Sequence, residues 1–281
     1  MKLLPAVFLV VTSSLVAAEP LVIKLWPKGA PEKPGVKIEA EKEVPKKSAN
    51  DVLRITNVTD PMITVFKPEN PNGTAVLVCP GGGYGILAYQ HEGTMVCDFL
   101  NKHGVTGILL KYRTPTRDEA APYEKPVQDA AQALTLVREH AKEWHLDPKR
   151  VGLLGFSAGG NLLAHLACDR LTKTALPNFG IMIYGGGFVE FKEPTKLKHG
   201  FSVPADMPPM FLTCAHDDGQ NPIAAAVLYL ECKKLNIPCE IHLYSKGGHG
   251  FGMRQTGNPI NDWPQRCAEW MHSMGLLQAK P

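Results

Sequence analysis

A chain of 281 residues that is 44% hydrophobic and 20% charged holds enough apolar material for one substantial core, and lacks the bias of a disordered or fibrous polypeptide. Its formal net charge of +3, with no dense Lys/Arg cluster, excludes charge-driven binding to nucleic acid or to an anionic membrane surface.

The chain starts with Lys2, an apolar stretch Leu3 to Val11 broken by Pro5, and the small residues Val16-Ala17-Ala18 before Glu19. That is the pattern of a secretory signal. The apolar part is shorter than the roughly 20 residues a spanning helix needs, and no later segment is long and apolar enough to cross a membrane. Residues 1–18 are read as a signal peptide, residues 19–50 as an extended N-terminal arm and residues 51–281 as the folded domain. The protein is expected to be exported, to the periplasm, the outer surface or the medium. The arm is rich in Pro, Lys and Glu; Leu21 to Leu25 suggests a short edge strand, and Pro31 to Lys47 an extended, solvated segment.

Met62 to Phe66 reads as a strand, and Ala75 to Cys79 as a continuous apolar run of the kind buried in parallel sheets. Strands and helices then alternate. Glu92 to Lys102 is predicted helical, with Met95, Val96, Phe99 and Leu100 on one face and Gly104 at its end. Val105 to Leu110 is the next strand. Pro126 to Trp144 is a longer amphipathic helix with Val127, Ala130, Ala131, Leu134 and Val137 as its apolar stripe. Strand Val151 to Leu154 follows, then a helix through Asn161 to Leu166 and a strand Phe179 to Tyr184. After a loop-rich stretch over 186–209, a cap, a substrate loop or a plain connection, come strand Met210 to Cys214 and helix Pro222 to Leu235. Strand Glu240 to Tyr244 and a terminal helix Asp262 to Met274 complete the chain. Such alternation predicts an α/β fold: a mostly parallel, doubly wound sheet of about eight strands flanked by helices.

Between the strand at 151–154 and the next helix lies Gly155-Phe156-Ser157-Ala158-Gly159. Strand, sharp turn and helix lift a serine hydroxyl to the top of a sheet, and the flanking glycines give the turn room. A serine hydroxyl is a poor nucleophile at neutral pH. It needs a base within hydrogen-bond reach and a third group to orient that base. In this architecture the acid follows a later strand and the histidine the strand after that. Ala215-His216-Asp217-Asp218-Gly219 offers two aspartates. Asp218, nearer the next helix and followed by Asn221-Pro222, is favoured over Asp217. Of the ten histidines, His249 alone sits in a glycine-rich loop at the right place in the order, Gly247-Gly248-His249-Gly250-Phe251-Gly252; His216 is second. His91, His103, His140, His145 and His165 fall on or beside helices, where exposed or capping roles suffice. Pro80-Gly81-Gly82-Gly83-Tyr84 directly follows a buried strand. The amides of Gly82, Gly83 and Ala158 suit a developing oxyanion, and Tyr84 is a candidate substrate contact. No Lys-Ser/Thr follows those glycines, as a phosphate-binding loop requires. None of the seven cysteines has metal-ligand spacing; a Cys232–Cys239 bridge stays open.

Together these segments resemble the α/β-hydrolase superfamily. Pro80 to Tyr84, Lys111-Tyr112-Arg113, Asp147 to Val151, Gly155 to Gly160 and Gly247 to Gly252, with Trp26 to Pro31, resemble one branch in particular. It comprises secreted acetylxylan-esterase-like and feruloyl-esterase-like carbohydrate esterases and relatives of the hormone-sensitive-lipase group. The last group carries histidine where this chain has Pro80, which favours the carbohydrate-esterase side. Many relatives carry valine where Asn221 stands. The resemblance implies a serine esterase removing acetyl or other short acyl groups from an acylated oligo- or polysaccharide such as xylan. Ser157, His249 and Asp218 would form the triad, with no cofactor and no metal. Feruloyl or general short-chain esterase activity is the nearest alternative. A serine exopeptidase, or a non-catalytic glycan binder using Tyr84, Tyr89 and Trp263 as exposed platforms, is more remote. Oligomeric state is not legible.

Overall fold

In the computed structural model, residues 20–31, 39–45, 51–168 and 175–278 are described. The expected signal peptide lies outside them, as do residues 32–38 and 46–50 of the arm. Apolar runs without polar alternation become strands covered on both sides: β5 (Ala75–Cys79), β7 (Val151–Phe156), β8 (Gly180–Ile183) and β9 (Met210–Ala215) are buried along their whole length. They join β6 (Thr106–Lys111) and β10 (Cys239–Tyr244) in parallel. β4 (Met62–Phe66) lies antiparallel against β6, and β1 (Leu21–Lys24) antiparallel against β4. The eight-stranded order is β1-β4-β6-β5-β7-β8-β9-β10. The first residues of the arm thus supply the sheet's edge. A separate two-stranded ladder pairs β2 (Lys42–Glu43) with β3 (Ile55–Thr56).

Alternate strand residues feed two cores. Leu77, Leu153 and Leu212 pack with Leu134 of α2 (Glu124–Glu139), Leu163 of α3 (Ala158–Cys168) and Leu228 of α4 (Asn221–Lys234). On the opposite face, Val78, Leu154 and Phe211 pack with Val96 and Leu100 of α1 (Met95–Lys102) and with Trp263 and Trp270 of α5 (Trp263–Ser273).

Two helices depart from expectation. The segment predicted helical from Glu92 begins as a π turn, Gln90–Thr94, and α1 proper starts at Met95. The wider turn rotates the Glu92 side chain into the interior, where it is 3% exposed. The helix predicted through Trp144 ends at Glu139; Ala141 and Trp144 stay buried because short turns continue the same apolar stripe.

The segments Trp26 to Pro31 and Lys111-Tyr112-Arg113 meet under the sheet edge. Asp129 of α2 accepts hydrogen bonds from the Arg113 guanidinium (2.9 Å), the Arg113 amide (2.9 Å) and the Trp26 indole (2.9 Å). Burial pushes the Asp129 carboxyl up, while Arg113 and Trp26 oppose the shift. Tyr112 donates to the Pro80 carbonyl at 2.7 Å, anchoring the loop after β5. No two of the cysteines form a disulfide; Cys232 is a buried free thiol and Cys239 a half-buried one. Among the described residues no helix is long and apolar enough to cross a membrane.

Candidate active site

The turn between β7 and α3 holds Ser157 at φ +50°, a left-handed conformation rarely adopted by a residue with a β-carbon. Its neighbours hold it there. The Ser157 amide donates to the Ile183 carbonyl (3.0 Å), and its carbonyl accepts from the Asn161 amide (2.9 Å). The turn is too tight for larger neighbours. A β-carbon on Gly155 would lie 2.1 Å from the Gly159 carbonyl oxygen, and one on Gly159 would lie 2.0 Å from that of Cys79.

Three loops at the carboxyl ends of parallel strands converge on this hydroxyl, the edge where open α/β sheets bind ligands. Ser157 Oγ is 2.8 Å from His249 Nε2, in the loop after β10. His249 Nδ1 lies 2.9 and 2.8 Å from the two carboxylate oxygens of Asp218, in the loop after β9. An Nδ1–H donating to Asp218 leaves Nε2 unprotonated and able to accept the serine proton. The hydrogen bond to Asp218 raises the His249 imidazole above its ordinary value of 6.5. Burial works against that shift, and the charges of Asp218 and Glu92 add to it.

Of the two aspartates, Asp218 is the one that reaches His249. Asp217 turns to the histidine loop's backbone and accepts the amides of Gly247 (3.0 Å) and Gly248 (2.8 Å). The Gly248 amide is the main influence holding the Asp217 carboxyl below the usual carboxylate range. His216 is exposed beside them.

The loop after β5 passes directly over the serine. A β-carbon on Gly81 would sit 2.8 Å from Ser157 Cβ. Gly82 and Gly83 have φ of +133° and +56°. The amides of Gly82, Gly83 and Ala158 donate to no other group among the described residues. Tyr84 is buried, and its hydroxyl donates to Asn161 Oδ1 at 2.8 Å. Asn161 Nδ2 in turn donates to the Gly186 carbonyl (2.8 Å), joining Tyr84 to the 186–209 loop. A cleft of about 710 Å³ opens from Ser157 over the start of α3, walled by Tyr84, Tyr123, His165, Phe188 and Phe201. Tyr84 therefore presents part of its ring to the cleft, with its hydroxyl already engaged.

Several expectations need correction. His165 is buried, stacked on Tyr123 with ring centroids 3.5 Å apart, and lines the cleft. His91 is also buried, at 3% exposure. Both lie beneath neighbouring loops that a helical pattern does not reveal. Trp263 and Tyr84 are buried rather than exposed platforms, because each fills the space between a strand end and a loop.

Sequence reasoning also missed some polar residues of the site. Asn221 donates to Asp218 Oδ2 (3.0 Å), and its amide nitrogen lies 3.3 Å from His249 Nδ1. Its mark in the sequence is its place before Pro222 at the start of α4. Tyr184 packs its ring on His249 with centroids 4.9 Å apart. It directly follows β8, and nothing local marks it.

Among the described residues there is no group of three or more His, Cys, Asp or Glu that could hold a metal ion. The groups that do converge form a hydrogen-bonded hydroxyl, imidazole and carboxylate beside three unengaged amides. Such a set can carry out nucleophilic acyl transfer.

Known proteins share stretches of this sequence and its fold. Over 246 residues the chain is 30% identical to an acetylxylan esterase of Xylanibacter ruminicola, covering 79% of this chain and 50% of that protein. It is 26% identical over 200 residues to an ethyl acetate hydrolase of Pseudomonas putida, covering 62% of this chain and 61% of that protein. The chain thus spans about half to three-fifths of the length of these two relatives. Among solved structures, an acetyl ester-xyloside bifunctional hydrolase from Caldicellulosiruptor lactoaceticus superimposes with a TM-score of 0.70 at 26% identity, covering 94% of this chain and 99% of that one. Residues 76–220, more than half of the 281, match the profile of the α/β hydrolase fold, and the chain belongs to that family.

Proposed function

We propose that the protein is an exported serine esterase that removes acetyl groups from an acylated oligo- or polysaccharide such as xylan. The observation that carries this reading is the alignment of Ser157, His249 and Asp218, with 2.8 Å at each junction. Ser157 Oγ attacks the ester carbonyl while its proton passes to His249 Nε2. Asp218 holds the imidazole in the Nδ1–H tautomer and stabilises the imidazolium that forms. The amides of Gly82, Gly83 and Ala158 receive the charge developing on the carbonyl oxygen. The tetrahedral intermediate collapses, and His249 hands its proton to the departing sugar oxygen. Water then enters, loses a proton to His249 and attacks the acyl-serine, releasing acetate and restoring Ser157. Every proton is accounted for by His249, so no step calls on a metal or organic cofactor.

The substrate class draws support from the similarity to the Xylanibacter acetylxylan esterase and the Caldicellulosiruptor acetyl ester-xyloside hydrolase. A cleft of about 710 Å³ is far larger than an acetyl group needs and lies in the range of ordinary ligand sites. Its aromatic walls suit the flat faces of sugar rings. Export rests on the signal-like pattern of residues 1–18. The same aromatic walls favour one second reading, a feruloyl esterase whose aromatic acyl group lies between Tyr123 and Phe201. A panel of acetylated xylooligosaccharides, feruloylated sugars and short peptide amides tests both. Acetate release with the highest kcat/KM supports the first reading, faster ferulate release supports the second, and amide cleavage alone would discard both.

A further inference from the structure

A second buried carboxylate lies beneath the site. Glu92, in the π turn before α1, is 3% exposed, and both of its oxygens are engaged. Oε2 accepts the amide of Gly81 at 2.8 Å, at the root of the loop that carries Gly82 and Gly83. Oε1 accepts the hydroxyl of Tyr184 at 2.8 Å. The Tyr184 oxygen accepts in turn the amide of Gly252 at 3.0 Å, in the loop that carries His249. The same π turn grips that loop a second time: the His91 carbonyl accepts the Met253 amide at 2.9 Å, and a β-carbon on Gly252 would lie 2.5 Å from the His91 oxygen.

We propose that Glu92 is a positioning residue for the reaction, tying the Gly81–Gly83 loop to the His249 loop through Tyr184 so that oxyanion donors and base are held in one frame. This rests on the esterase reading above. A buried carboxylate is expensive to desolvate, and here its two donors lead to the loop of Gly81–Gly83 and, through Tyr184, to the loop of His249. Charge-assisted bonds of this kind fix geometry more tightly than neutral ones. Small displacements of donors or base are costly to catalysis.

Glu92 also acts through its field. Its charge, after that of Asp218, favours the imidazolium of His249. The other charged or titratable groups around that ring are Asp217, beneath the Gly247 and Gly248 amides, and Arg254, whose guanidinium donates to the Gly250 carbonyl. Around Glu92 stand His91, with Nε2 3.4 Å from Oε1, and the phenols of Tyr184 and Tyr112.

The experiment pairs Glu92→Gln with Tyr184→Phe in the full chain, with folding checked by thermal melting. Glu92→Gln removes the charge and one acceptor. It is expected to lower kcat for acetyl-ester hydrolysis by roughly 10- to 100-fold with little change in KM, and to move the acid limb of kcat/KM to lower pH. Tyr184→Phe keeps the ring against His249 but cuts the link to Gly252; kcat should fall while the acid limb stays in place, because the Glu92 charge remains. A purely structural residue would lower stability without separating these two profiles. The His249 titration is read independently by NMR of imidazole-labelled protein, assigned with His249→Asn, and should move down in Glu92→Gln only. An unshifted His249 titration in Glu92→Gln, or wild-type kcat in both variants, overturns the proposal. A wild-type protein inactive on every ester would sink the esterase reading and, with it, the catalytic role given to Glu92.

Discussion

Asp218→Asn is the substitution for which the structure dictates the most. Asp218 Oδ2 accepts the Asn221 amide and lies 2.8 Å from His249 Nδ1, and Oδ1 lies 2.9 Å from the same nitrogen. An asparagine amide at position 218 has one acceptor and one donor. Asn221 already supplies a donor toward the Oδ2 position, so the new oxygen settles there and the new –NH₂ points at Nδ1. With that amine 2.9 Å from Nδ1, the tautomer in which Nδ1 accepts and the ring proton sits on Nε2 is favoured, and Ser157 then faces a donor in place of a base. The imidazolium loses its adjacent charge as well. Tautomer reversal of this kind costs about 10⁴-fold in kcat in a serine triad, or about 5 kcal/mol of transition-state stabilisation. The assay is p-nitrophenyl acetate and acetylated xylooligosaccharide hydrolysis by wild type, Asp218→Asn and Asp217→Asn, each checked for folding. Asp217 holds only the backbone of the histidine loop, so its variant should lose less than about 100-fold. An Asp218→Asn protein within 10-fold of wild type, or an Asp217→Asn protein that loses as much as Asp218→Asn, would refute the assignment.

The remaining predictions are simpler. Because the Asp218 hydrogen bond raises the His249 imidazole, kcat/KM should climb with pH along a limb centred above 6.5, as the ring loses its proton and becomes the base; a midpoint below 6.5 would contradict the cause given. Gly159→Ala places a β-carbon 2.0 Å from the Cys79 carbonyl oxygen in a rigid strand end, so it should destabilise by several kcal/mol or prevent soluble expression, read by thermal melting. Phe201→Ala removes one aromatic wall of the cleft; KM for acetylated xylooligosaccharides should rise roughly 10-fold, while p-nitrophenyl acetate turnover stays close to wild type.

Much of this architecture is legible because its signals are local. The apolar runs at 75–79, 151–156 and 210–215 have no alternation, and that pattern fits only strands covered on both faces. Ser157 and His249 are each framed by glycines that their turns require, and each follows a strand, so composition and order find them together. The sequence favours Asp218 over Asp217 only by its place nearer the next helix, before Asn221-Pro222. The two residues are adjacent in the chain, and only the turn's geometry sends one carboxylate to the imidazole and the other to the loop amides. Glu92 shows the same limit more sharply. A glutamate at the start of an amphipathic helix reads as a solvated charge. Its burial follows from a π turn and from two donors eleven and ninety-two residues away, which no window of sequence reports. His165 was misjudged for a related reason: the 186–209 loop and Tyr123 cover a helix face that the periodicity leaves open.

The central claim is that the Ser157 hydroxyl is the nucleophile of an acetyl-ester hydrolysis. The direct measurement is the rate of acetate release from acetylated xylooligosaccharides by the wild-type protein and by Ser157→Ala. The account predicts ready release by the wild type and a loss of at least about 10⁴-fold in the folded variant. Turnover by Ser157→Ala close to that of the wild type would contradict it.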